Sequence, residues 1–155
     1  MYRPGHYGVA LALYSPIGFL LVARGLADRA LVGGVVLLAL TMLPDLDSKT
    51  GRVRHRGPTH SLAFAVAVGL VAGVVGGLLA GLWFAGFGAL VGSLAIVSHL
   101  LADVLTPMGI RPLWPLSTRH YTLDLTLSSD ARTNYLLFVG GSILCGGAWF
   151  LGGLY

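Results

Sequence analysis

Residues 60–105 read HSLAFAVAVGLVAGVVGGLLAGLWFAGFGALVGSLAIVSHLLADVL, and the nature of the chain is decided here. No Lys, Arg or Glu interrupts the run, and its one acid, Asp103, comes close to its end. A bilayer core of about 30 Å needs about 20 helical residues, so the run holds two spans, 60–80 and 82–105. Their junction at Gly81 and Leu82 is tight enough to make them an antiparallel hairpin. A helix of a soluble bundle carries a polar stripe at helical spacing, and residues 66–82 have none. This stretch crosses a membrane.

Three more apolar stretches lie outward of it, at about 7–23, 30–44 and 134–154. The last is long enough to span, and the first is marginal. The second is short unless it starts near Leu26. Composition agrees: 55% of residues are hydrophobic and 10% charged, with a mean hydropathy of +0.81, against about 25% charged in soluble domains. The expected fold is an all-α integral membrane bundle of about five transmembrane helices, a single domain over residues 1–155, with a metal site at one interface. Met1–Tyr7 lacks a clear basic region ahead of the apolar run, which disfavours a cleaved signal peptide. Cys145 stands alone in the last stretch, so an intramolecular disulfide is excluded.

Five spans put the N-terminus, the 45–59 loop and the 106–133 loop on one side. Arg3, Lys49, Arg52, Arg54, Arg56, Arg111, Arg119 and Arg132 gather there, while the opposite side has Arg24 and Arg29. The Lys/Arg bias of membrane proteins places the first face in the cytoplasm and the C-terminus across the cell membrane. The net charge of +4 is thereby a topology signal. No basic stripe points to nucleic acid, and membrane lipids are the expected partners.

The same topology gathers six metal-binding side chains. His6 precedes the first span, Asp45 and Asp47 follow the second, His60 opens the third, and His99 and Asp103 close the fourth. At about 1.5 Å per residue, His99 lies about 9 Å from its helix end, so all six fit one layer about 10 Å deep. Ionisable groups are expensive at a bilayer's edge and point to function.

His99-Leu-Leu-Ala-Asp103 sets its two ligands at i and i+4, about 5–6 Å apart on one helix face. They either share a cation or form a neutral His–Asp pair. In Pro44-Asp45-Leu46-Asp47 the two carboxylates repel unless a cation or proton lies between them. Either one could equally cap a turn, and spacing does not choose between them. In His55-Arg56-Gly57-Pro58-Thr59-His60-Ser61, Gly57 and Pro58 break any preceding helix. Thr59 is then the expected N-cap, with His60 in the first turn, pointing back to the loop. Imidazole binds metal in its neutral form with the second nitrogen held by an outer acceptor. Arg54 and Arg56 suit phosphate by geometry, or serve as topology charges or contacts to anionic lipid. His55 and His120 are further candidates on the substrate side. A His/Asp set without Cys suits zinc or manganese, in a cluster of two or three ions.

Gly69, Gly73, Gly77 and Gly81 recur every fourth residue, and Gly88 and Gly92 repeat the spacing. Small residues so placed let helices approach closely in lipid. Packing inside the bundle is the expected use, with a homodimer face the alternative.

Together these motifs carry a family resemblance. A leading His6, Pro44-Asp-Leu-Asp47, His55-Arg-Gly-Pro-Thr-His-Ser61, Ser98-His-Leu-Leu-Ala-Asp103, Thr106-Pro107-x-Gly109 and Pro112-Leu-Trp-Pro115 resemble the YdjM-like family. Its members are described as membrane-bound metal-dependent hydrolases and as LexA-binding, inner-membrane-associated hydrolases. The match covers residues 6–120 in order. The family is in turn distantly similar to zinc-dependent phospholipase C and the single-strand nucleases, helical enzymes with a tri-zinc site that cleave phosphoesters. That similarity implies His6, Asp45 or Asp47, His60, His99 and Asp103 as ligands, with Asp103 bridging two metals. The later His and Glu ligands of the third zinc lack counterparts: the chain has no Glu, and His120 is its only later His. About two ions are therefore expected.

The resulting expectation is a hydrolase of a phosphoester or ester in a lipid or lipid-linked substrate. Asp45 or Asp47 would take the proton of the attacking water, and Arg54 or Arg56 would hold the headgroup. The competing readings are a membrane protein whose metal only staples its helices, and a metal-ion transporter, which would want ligands near the midplane.

Overall fold

The computed structural model describes residues 1–46 and 56–155. Its helices are α1 (Arg3–Val22), α2 (Ala27–Thr41), α3 (Leu62–Ala80), α4 (Leu82–Val104) and α5 (Ala131–Gly152), with a 3-10 turn at Pro58–His60. No strand occurs among the described residues, and Ile110 and Tyr121 form one isolated bridge across the α4–α5 connection. α1, α3, α4 and α5, of 20, 19, 23 and 22 residues, are long and apolar enough to cross a membrane. α2 has 15 residues, about 22 Å of helix. The expected five spans thus become four full-length helices and one short one.

The hairpin at Gly81 is as expected: α3 ends at Ala80, α4 begins at Leu82, and Gly81 sits at φ +89. Only glycine adopts that conformation without strain. α3 lies along α4 and α1 along α5, while α4 also touches α1 and α2. The core at their meeting is Ala10, Tyr14, Leu37, Val91 and Ala95. The Tyr14 hydroxyl, buried in this apolar setting, donates to the Ala30 carbonyl at 2.7 Å, as a buried phenol must.

Glycine explains how the helices close up. A Cβ at Gly69 or Gly73 would run into α4 at Ala89 or Ala85, and one at Gly88 or Gly92 into α3 at Ala72. One at Gly8 would strike the Leu137 backbone, and one at Gly141 the Gly8 backbone. These small faces are used inside the chain. The glycines with open space around them are others, such as Gly86, Gly140 and Gly147.

Candidate metal centre

α1, the ends of α2 and α4, and the 3-10 turn all bring polar groups to one end of the bundle. His6 lies in the first turns of α1, Asp45 just beyond α2, His60 at the end of the turn, and His99 and Asp103 in the last turns of α4. His6, His60, His99 and Asp103 are buried at 0–1% exposure. Asp45 is the opening, its side chain 28% exposed. Asp47, Arg54 and His55 lie outside the described residues.

His60 arrives by a route the sequence reading misplaced. The N-cap of α3 is Ser61, which accepts from Phe64 N at 3.2 Å and donates to the Pro58 carbonyl at 2.6 Å. Thr59 instead belongs to the 3-10 turn, and its Oγ1 lies 3.1 Å from His60 Nδ1. Pro58 favours the start of a short turn, and Ser61 is extended at φ −129, so the helix starts later. His60 is therefore carried ahead of α3 rather than within its first turn.

His60 Nε2 and His99 Nε2 are 3.3 Å apart, and Asp103 Oδ2 lies 3.4 Å from the first and 3.5 Å from the second. Ligand atoms about 2.0–2.1 Å from a tetrahedral zinc are about 3.3–3.4 Å from one another, so this triangle has the size of one face of such a site. Asp45 Oδ1 approaches the same two nitrogens at 3.6 and 3.5 Å. His6, Asp45 and His99 form a second group of three potential ligands. The His6 ring stacks on His99 at 3.9 Å and 4°, and its Nε2 is 3.7 Å from Asp103 Oδ1. The donor chemistry and spacing fit a divalent ion. Among the described residues, His6 Nδ1 and His99 Nδ1 are buried without a hydrogen-bond partner, so the outer acceptor expected of a ligand imidazole is found there for His60 at Thr59 but not for these two.

Electrostatics support a mixed-charge cluster. Burial opposes ionisation of Asp45, but the His60 and His99 imidazoles facing it outweigh that and hold the carboxyl well below the usual carboxylate range. Burial likewise opposes charge on His60, yet the Asp103 and Asp45 carboxylates facing it raise it above the ordinary imidazole value.

Arg56, read from sequence as a candidate headgroup clamp, turns inward. Its Nη2 donates to Asp103 Oδ1 at 2.8 Å, and its Nη1 to Thr106 Oγ1 at 3.2 Å and the Gly109 carbonyl at 3.0 Å. It does so at φ +58, a left-handed conformation that is uncommon outside glycine. Met1 N also lies on Asp103 Oδ1, at 2.9 Å. His120 sits apart in the α4–α5 connection, exposed, with Nε2 2.8 Å from the Met108 carbonyl. It braces the loop that presents Gly109 to Arg56.

Two contributors had been assigned no role from sequence, Thr106 having entered only as part of a motif. Thr106 is buried beside Asp103 and donates to its backbone carbonyl at 2.9 Å. Asn134, buried in α5, accepts from Tyr2 N at 3.0 Å and donates to the Asp130 carbonyl at 2.7 Å. It ties the start of α1, and so His6, to α5. A lone Asn early in an apolar helix was the available signal.

Residues 1–152 match the YdjM inner membrane protein family. The chain belongs to that family. It is thus an inner membrane protein, in accord with its four candidate spans. It is 44% identical over 66 residues, 42% of its length, to the inner membrane protein YdjM of Escherichia coli (strain K12), and equally to that of Shigella flexneri. The match spans about a third (32%) of the length of these curated relatives. No solved structure matches.

Proposed function

We propose that this family member is a membrane-embedded, metal-dependent hydrolase of an ester or phosphoester in a lipid or lipid-linked substrate. The observation that carries the reading is the buried triangle of His60 Nε2, His99 Nε2 and Asp103 Oδ2, with sides of 3.3–3.5 Å, at the end of an apolar bundle. These three would hold one divalent ion, zinc or alternatively manganese. His6 and Asp45 are the further donors for a second, since the single lone pair of His99 Nε2 serves one ion. A bound ion would supply Lewis acidity, acidifying water and stabilising anionic charge that develops on the substrate.

The chain's own groups do the rest. Asp45, ionised and partly exposed, accepts a proton from water as the water oxygen bonds to phosphorus or the acyl carbon. The ester bond breaks, and the leaving oxygen takes that proton back. Asp47 is the alternative base. Arg56 orients Asp103 through its 2.8 Å bond, while Arg54, His55 and His120 remain candidates for the headgroup. The Lys/Arg excess of the loops supports a cytoplasmic orientation for this chemistry.

One observation favours the staple reading: four of the five gathered ligand side chains are at 0–1% exposure, and a closed site suits structure rather than catalysis. The test is elemental analysis of detergent-purified protein together with turnover of a phospholipid panel under added zinc or manganese. Bound metal with hydrolysis supports the hydrolase. Bound metal without hydrolysis of any ester supports the staple, and absence of metal even after titration sinks both.

A further inference from the structure

α2 and α3 both pack on α4, and between them lies a cleft of about 630 Å³. Val36, Leu43, Phe64, Val68, Val71 and Phe87 represent its lining, which among the described residues contains no polar side chain. Along α3 the lining runs from Phe64 to Ala80, about 24 Å of helix, against about 15 Å for half of a bilayer core. The rim residues Val32, Val71, Val75 and Leu79 are exposed, so the cleft opens sideways into the space that lipid tails fill.

One end of the cleft meets the metal centre. Leu43 comes two residues before Asp45, and Phe64 four residues after His60. Asp45 is also the partly exposed member of the gathered ligands. The apolar trough and the opening of the polar site therefore coincide.

We propose that this cleft seats one acyl chain of a membrane glycerophospholipid and thereby presents its ester or phosphoester on the Asp45 side of the metal centre. The presentation rests on the hydrolase reading, whereas the seating rests on the cleft alone. A hydrocarbon tail needs no hydrogen bonds, and the side chains of the described lining offer none. A peptide strand would leave its backbone groups unsatisfied there. Because a tail leaves one apolar medium for another, the cleft contributes position more than affinity. It holds the scissile group at a fixed depth beside the site.

The test uses the full chain in phospholipid nanodiscs containing a trace of phosphatidic acid with a diazirine on its acyl tail, with labelled residues mapped by mass spectrometry. A seated ligand has about 70–90% of its surface covered by protein, so Val36, Phe64 and Val68 should carry about fivefold more label than Leu136 on the outer face of α5. Ala67→Trp and, as a second variant, Val71→Trp place bulk at exposed positions of the cleft wall and should remove that excess with zinc content unchanged. Leu70→Trp, exposed on another face of α3 beside Ala85 and Ala89, should leave it intact. Uniform labelling of all lipid-facing helices, or an excess that survives both cleft variants, overturns the proposal. So does cross-linking of Val71→Cys between two chains with the cleft unlabelled, which means that a second copy covers it. Cleft labelling without zinc or turnover overturns the hydrolase reading and leaves the seat standing; zinc and turnover with uniform labelling do the reverse.

Discussion

Asp103 is shared between two kinds of partner: Oδ1 accepts from Arg56 Nη2 at 2.8 Å, while Oδ2 faces His60 and His99 at 3.4 and 3.5 Å. A carboxylate held on one side by a guanidinium fork and open to two imidazoles on the other is oriented before any ion arrives. Partners of this kind are commonly worth 10–100-fold in metal affinity.

Asp103→Asn retains the size of the side chain but removes the charge that offsets a cation. Bound zinc and any ester hydrolysis should both be lost, while membrane insertion persists because the apolar helices are untouched. Metal content and turnover, measured on parent and variant in one detergent, check this. Full retention of both would remove Asp103 from the ligand set.

Arg56→Lys keeps a positive charge but not the planar fork that reaches Asp103, Thr106 and Gly109 together. Its expected effect is a roughly 10–100-fold weaker zinc affinity with little change in thermal stability. Competition with a chelator reads the affinity. An unchanged affinity would return Arg56 to the role of headgroup clamp.

Gly8→Ala tests the α1–α5 contact, where an added Cβ meets the Leu137 backbone rather than a side chain that can move. Overpacking of this kind costs about 1–3 kcal/mol, and α1 carries His6. Thermal unfolding in detergent should fall, with metal binding weakened in parallel. Gly140→Ala, with open space around it, is the matched control and should leave both unchanged.

Orientation is tested by labelling single cysteines in a Cys145→Ser background. Thr118→Cys should react from the cytoplasmic side and Tyr155→Cys from the opposite one, since α5 separates them and the loop before α5 carries the basic residues. Reaction of both from the same face would mean that α5 does not cross, whereas a reversal of the two would place the site outside the cytoplasm.

His6, Asp45, His60, His99 and Asp103 could be placed at one depth from sequence because a helix converts residue number into height at a nearly constant rise. The apolar runs were legible in the sequence as well, since α3 has no polar stripe that would suit it to water and α4 keeps its ionisable groups to its last turns. The cap of α3 was not, because Thr59 and Ser61 are both good caps and only the 3-10 turn at Pro58 selects the second. Lateral arrangement had no one-dimensional signature at all. That Arg56 turns inward to Asp103, that His6 stacks on His99, that Asn134 anchors Tyr2, and that α2 and α3 leave a cleft beside Asp45 depend on which faces of remote helices meet. Those meetings are governed by shape, with glycine backbones admitting one neighbour and Phe87 or Tyr14 filling against another, and shape exists only once the chain has packed.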